Sequence, residues 1–412
     1  MSLYVWFGSF ELHNLSRLFP AYAVVVVVCT AWALLTRVST TMSTERATII
    51  GVTAAAALYV LLIDFIHEGA VPEAGNIVRF LTPFVAMMVM CSNSLYEHQL
   101  KRLSLIYLGV VLLAALSIFY QVLNGPIEWF ADSSERAGVE RYSSLLGSLT
   151  TFGAAAPIAL LAAARYLRSS AIFCLVAAVL LVAALMSLQK AALGGLAVAV
   201  PFIVMLLRRR TVFVFAIGLV AIVSIASLLL PAGLADYIEV GWRYFTDSDF
   251  STQDVSFSES AVSRLTEYPA ELVQRHGIES LGFGVGLRGG SGVFGYEEEP
   301  MAHNAIIDYL AIGGVAFLAY ASWLILRMFF VMLALPKFVR NGVVSADDAK
   351  FVVGLGCLYF VNLPFSTGVE YHPSTCWIPA IVLAYELSIL DRWRHKFAAP
   401  PSGAASAKTV FS

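Results

Sequence analysis

LSLIYLGVVLLAALSIFYQVL, residues 103 to 123, runs from Leu103 to Leu123 without one charged side chain. Its apolar residues are continuous rather than alternating with polar ones, which excludes a half-exposed strand or a barrel strand. As a helix rising 1.5 Å per residue, it covers the roughly 30 Å hydrocarbon core of a bilayer, for which about 20 apolar residues are needed. In lipid every backbone N–H and C=O must be satisfied internally, and a helix does this. The stretch is therefore read as a membrane-spanning helix.

Similar windows recur at 18–36, 47–66, 75–93, 143–164, 170–188, 191–207, 211–230, 304–334, 350–365 and 374–390. Together they predict an all-α, polytopic transmembrane helix bundle of about eleven spans, with residues 2–11 a short or re-entrant twelfth. Composition agrees: the 412 residues are 59% hydrophobic and 13% charged, with a mean hydropathy of +0.79. A soluble chain of this length needs more polar surface. The net charge of −2 offers no basic face for phosphate backbones, so nucleic acid is not an expected partner. Cys29, Cys91, Cys174, Cys357 and Cys376 lie in apolar segments without CxxC spacing, which suits packing rather than disulfides or zinc. The start, MSLYVWFGSFELHNLSRLF, lacks the basic region and small-residue cleavage site of a signal peptide.

Lysines and arginines set the expected orientation. Arg37 and Arg46, Lys101 and Arg102, Arg165 and Arg168, Arg208 to Arg210, Lys337 with Arg340 and Lys350, and Arg392, Arg394 and Lys396 fall on one set of connections, expected to be cytoplasmic. The alternate connections face outward; the longest, residues 231–302, has no lysine and is rich in acids. Four regions follow: an N-terminal transmembrane bundle (1–230), a small helical outer loop domain (231–302), C-terminal transmembrane helices (303–396) and a disordered cytoplasmic tail (397–412). Within the loop domain, ESAVSRLTEYPAELVQRHG has helical spacing broken at Pro269, predicting one or two helices along the membrane surface. LGFGVGLRGGSGVFG reads as glycine-rich loop. Its glycines are not a nucleotide fingerprint, because no strand of a βαβ unit precedes them.

Ionisable groups inside spans cost about 2.5 to 3.5 kcal/mol on insertion scales and ask for a reason. Asp64, Arg79, Lys190, His303 and Asp308 all fall near outer helix ends, and Arg141 and Arg264 lie in outer loops. The cations among them suit an anionic ligand in one outer-face cavity. Blander readings stand beside this one. Arg79 and Arg141 can snorkel to headgroups, Lys190 can cap a helix or bind lipid phosphate, and Asp64 and Asp308 can satisfy a neighbouring helix. Arg275 and Arg288 read as solvated loop charges; His67, His98, His372 and His395 read as interfacial. His303 stands in EEEPMAHNAIIDYLAIGG (297–314), at the threshold of a long apolar helix.

Four motifs in order, RYSSLLG (141–147), MSLQKAAL (186–193), SRLTEY followed by ESLGFGVG (263–268, 279–286) and AHNAIIDYLAIGG (302–314), carry a resemblance to the O-antigen ligase and O-antigen polymerase superfamily. The resemblance implies a GT-C-like bundle in a bacterial inner membrane, with its active site on the periplasmic face. It implies a glycosyltransferase that takes a glycan from a polyprenyl-diphosphate-linked donor. The acceptor is a lipid-linked glycan for a polymerase, slightly favoured by RYSSLLGSLTTFG and YLAIGG, or lipid A-core for a ligase. Carried over by position, His303 and Arg264 are catalytic, Lys190 and Arg141 hold the diphosphate, and Asn304 and Gly314 support them; Arg79, as a further outer-end cation, joins the diphosphate group and Asp308, just over a turn below His303, joins the supporting group on the reading of the residues alone. Two departures stand out: Gln189-Lys190 replaces the usual Ser-Arg, losing a bidentate fork, and Ile312 stands where many relatives carry glutamate. No metal or cofactor is expected, since a diphosphate leaving group needs cations more than a proton. A transporter or flippase is the rival from another class. Membrane lipids are the remaining expected partners.

Overall fold

A computed structural model describes residues 43–68, 74–127, 133–136, 139–146, 151–187, 190–208, 211–212, 243, 257–290, 304–363 and 377–398. The expected spans at 18–36 and 211–230 lie outside the described residues apart from 211–212, as do residues 2–11, residues 231–256 except Arg243, residues 291–303 with His303, and the tail from 399; His372 does too.

The described chain is helical almost throughout. In order it forms α1 (Thr44–Glu68), α2 (Ala74–Cys91), α3 (Glu97–Asn124), α4 (Thr151–Tyr166), α5 (Ser170–Met186), α6 (Lys190–Leu206), α7 (Phe257–His276), a short α8 (Glu279–Phe283), α9 (Ala305–Arg340), α10 (Ala346–Asn362) and α11 (Trp377–Ala398). Three of these, over Thr44–His67, Glu97–Asn124 and Ala305–Arg340, are long and apolar enough to cross a membrane. Shorter apolar helices cover Phe80–Cys91, Ser170–Met186 and Gly194–Leu206. This is the architecture of an all-α membrane protein.

One departure from the all-α expectation is a small antiparallel hairpin, β1 (Ser133–Arg136) with β2 (Val139–Tyr142), in register Ser133 opposite Tyr142 and Ser134 opposite Arg141. Its downstream chain is tied to α3: the Gln121 amide donates to the Ser143 carbonyl at 2.9 Å, and the Leu145 N–H donates to Ser117 Oγ at 3.2 Å. Nor does Pro269 break the helix expected in the long loop. α7 runs unbroken through it.

The core surrounds α4, whose sequence TFGAAAPIALLAAARY is buried on nearly every side. Its alanines let α3, α5, α6 and α10 pack against it closely, as small residues do between membrane helices. α11 is also buried from Ile378 to Ile389 and packs on α2.

One end of the bundle is fastened by Arg46, only 4% exposed at the start of α1. Its Nε donates to Asp391 Oδ2 at 2.9 Å, its Nη1 to the carbonyls of Cys91 and Asn93 at 2.6 and 2.7 Å, and its Nη2 to Ser388 Oγ at 3.1 Å. Those carbonyls sit at the C-terminal end of α2, where the helix leaves acceptors unpaired. The guanidinium thus caps α2 while joining α1 to α11. Beside it Arg165 meets Asp348 at 2.9 Å and Glu97 at 3.5 Å, and Arg394 meets Glu45 at 2.9 Å.

Candidate functional site

At the opposite end, the first two turns of α9 are separated from the rest by a break. Gly313 has φ −138° and ψ 21°, and Gly314 has φ 61° and ψ −161°, both outside helical geometry. The segment following α7 fills this break. Gly284 (φ 83°) passes so close that a Cβ there would sit 2.5 Å from the Gly313 Cα, and a Cβ on Gly314 would collide with the Gly282 carbonyl. The contact also repairs the helix: the Val285 N–H donates to the Ala311 carbonyl at 2.8 Å, satisfying an acceptor that the break removes from the ladder. What Gly313 and Gly314 admit is the glycine-rich chain from the end of α8 through Gly284.

That segment continues as a 3₁₀ turn, Gly286–Gly290, between α9 and α1. Asp64, fully buried near the end of α1, accepts the Leu287 N–H at 2.7 Å. Gly286 (φ 73°) lies against Asp64, where a Cβ would meet its Cα at 2.5 Å. The Tyr59 hydroxyl donates to the Phe283 carbonyl at 3.1 Å, and the Tyr268 hydroxyl to the Gly289 carbonyl at 3.2 Å. Tyr268 and Leu272 of α7 form a small buried cluster with Val285, Ile307 and Ala311. So α7, the glycine segment, α1 and the start of α9 make one assembly. LGFGVGLRGG is not the plain loop read from sequence but a shaped insert.

The start of α9 is fully capped. Asn304 Oδ1 accepts the N–H groups of Ile306 and Ile307 at 3.0 and 3.4 Å. The Ala305 N–H donates to the Leu363 carbonyl at the end of α10, and the Asp308 N–H donates to the Asn304 carbonyl, both at 2.9 Å. With those amides engaged, an anion at this end has to be held chiefly by cationic side chains. Asp308 is buried, 3% exposed, in the first turn, where a carboxylate is favoured by the helix dipole.

The expected site residues divide into two groups. Asn304, Asp308 and Gly314 belong to the assembly, and Arg264 lies on α7 one turn ahead of Tyr268. His303, immediately before Asn304, lies outside the described residues, and nothing is described of the side chains of Arg264, Lys190 and Arg79. Arg79 falls in the second turn of α2, Lys190 opens α6, and Arg141 stands on β2. The described packing ties β2 chiefly to α3, and α6 chiefly to α4 and α10. Beside Arg141, Tyr142 donates to Glu140 at 3.1 Å; burial first, and then that carboxylate, raise its hydroxyl above the usual tyrosine range, so it stays a neutral donor.

Asp64, expected to satisfy a neighbouring helix, instead anchors the backbone of the glycine segment, and Arg288, read as a solvated charge, is partly buried in the 3₁₀ turn beside it. The available signal was the run of glycines at 282, 284 and 286 upstream of Gly313-Gly314. Among the described residues no group of three or more His, Cys, Asp and Glu gathers as metal ligands do.

No family model, curated protein or solved structure matches this chain.

Proposed function

We propose that the chain is a polytopic membrane glycosyltransferase that moves a glycan from a polyprenyl-diphosphate carrier to an acceptor hydroxyl at the outer face of a bacterial inner membrane. The observation that carries the reading is the glycine-locked assembly. It joins α7, with Arg264, and the 3₁₀ turn, with Arg288, to the capped helix start next to His303. The motif order of the sequence supplies the reaction class.

In this reading the diphosphate leaves as a stabilised anion, and Arg264 and Arg288, with Lys190, Arg141 and Arg79 where they reach it, neutralise the developing charge. His303 takes the proton from the acceptor hydroxyl as it attacks the anomeric carbon, a role that imidazole fills near neutral pH. Asn304 fixes the helix start that carries His303, and Asp308 supports it. A lipid-linked repeat unit as acceptor makes the enzyme a polymerase, the favoured form; lipid A-core makes it a ligase.

The test is His303→Ala, with the protein quantified in the membrane and the glycan product resolved by chain length. Loss of a general base lowers the rate by about 10²- to 10⁴-fold; normal product overturns the reading. In a deletion strain, single attached repeats identify a polymerase, and absence of all attachment identifies a ligase.

A second reading is favoured by one observation. Secondary transporters use broken helices near buried ionisable groups, and here the Gly313-Gly314 break lies beside buried Asp308 and Asp64. Proteoliposomes loaded with a lipid-linked glycan separate the two, because a transporter moves its substrate without forming glycosidic bonds.

A further inference from the structure

At the other end of the bundle, the first turns of α3 present His98, Lys101 and Arg102 around a shallow groove floored by Leu105 and Ile106. His98 stacks on Tyr96, the ring planes within 8° and the centroids 6.1 Å apart. Several other cations at this end are engaged by carboxylates, Arg46 by Asp391, Arg165 by Asp348 and Glu97, Arg394 and Arg327 by Glu45, and Lys350 by Asp347, while Lys396 donates to the Asn341 carbonyl and Lys337 lies over the Trp393 ring. Lys101 and Arg102 form no ion pair among the described residues. Glu97, one turn before Lys101 and its natural helical partner, turns to Arg165 instead.

The groove opens onto an apolar stripe. At helical spacing from Arg102 come Ile106, Gly109, Leu113, Leu116, Tyr120 and Leu123, and the last four are all exposed. Gly109 is a notch in that stripe, since a Cβ built there meets nothing within 4 Å. Charge at one end, an open notch about two turns along, and exposed aliphatic surface beyond it match the plan of a phospholipid rather than that of a soluble anion.

We propose that His98, Lys101 and Arg102 bind the phosphate headgroup of one anionic phospholipid, with an acyl chain lying over Leu105 and Ile106 into the notch at Gly109. This rests on α3 crossing the bilayer but not on glycosyl transfer, so it stands or falls separately from the reading above. Basic side chains near a headgroup favour anionic over zwitterionic lipid, and two of them together give on the order of tenfold or more.

The test uses the full chain, purified in detergent and stripped of lipid, then titrated with phosphatidylglycerol or phosphatidylcholine of identical acyl chains and read by native mass spectrometry. The wild type retains phosphatidylglycerol in preference. Lys101→Gln with Arg102→Gln lowers that retention about tenfold or more and leaves phosphatidylcholine unchanged. Gly109→Leu fills the notch without altering charge and also weakens phosphatidylglycerol retention, which separates a seated lipid from a diffuse basic surface. Equal retention of both lipids by the wild type overturns the proposal, as does wild-type preference in the double variant or in Gly109→Leu. Displacement of bound lipid by inorganic phosphate also overturns it, by showing a site for free anions.

Discussion

Arg46 directs one guanidinium to a carboxylate, two helix-end carbonyls and a hydroxyl, from segments far apart in sequence. Removing one partner of a buried pair leaves the others desolvated and uncompensated, at a cost of about 3–5 kcal/mol. Arg46→Ala is therefore expected to lower the melting temperature in detergent sharply. Arg46→Lys restores only part, because an ammonium lacks the planar fork that reaches three acceptor directions; an unchanged melt for the alanine variant contradicts the assigned role. At the opposite end, Asn304→Ala costs about 1 kcal/mol as a lost cap, whereas Asn304→Asp keeps it. The same melting series, with activity beside it, checks that order. The sequence reading placed Arg46 among the charges expected on cytoplasmic connections, but its partners were not legible. A run of residues shows how polar a position is, not which distant helix supplies the acceptor.

Among elements, α9 matters most, because its break is held by another segment. Gly314 and Gly284 both have φ in the left-handed region and both meet backbone across the break. Alanine at Gly314, whose φ 61° and ψ −161° are essentially restricted to glycine, incurs about 1–3 kcal/mol of local strain and also pushes against the Gly282 carbonyl, so the insert has to withdraw. The expected result is faster proteolysis within residues 280–290 and loss of activity, with the far end of the bundle still folded. Limited proteolysis followed by mass analysis of the fragments checks it; a wild-type cleavage pattern in an inactive variant rules out displacement of the insert. The apolar windows anticipated where most of the helices lie, because hydrophobic length is a local property, although α4 begins eight residues inside its window at 143 and α11 runs eight residues beyond its window at 390. Three features were not so readable. Pro269 suggested a break, yet the helix runs through it. The hairpin at 133–142 is short and too polar to show a strand period. The glycine segment takes its shape from Asp64 and Ala311, which it meets only after folding.

For the whole molecule, the charge distribution expects Glu140 and Ala346 on opposite sides of the bilayer. Cysteines placed at these positions, each exposed, should differ in labelling by a membrane-impermeant maleimide on intact cells: Glu140→Cys reacts, and Ala346→Cys reacts only after lysis. Equal labelling of both on intact cells refutes the alternating arrangement. Helical, membrane-spanning character was the most legible property of this sequence, since it follows from runs of apolar residues, and three described helices are long and apolar enough to cross a bilayer. The packing of α7 and the 3₁₀ turn against the start of α9 was the least legible, since it depends on one helix being interrupted. The buried guanidinium at position 46 also has a consequence in time. During synthesis it leaves the ribosome 345 residues ahead of Asp391, an interval of about 20–70 s at ordinary rates of translation. Through that interval Arg46 of the nascent chain lacks this counter-charge, which arrives only with α11. A chain truncated before Ser388 never receives it, so quality-control proteases should read a missing C-terminus as an opened N-terminal half.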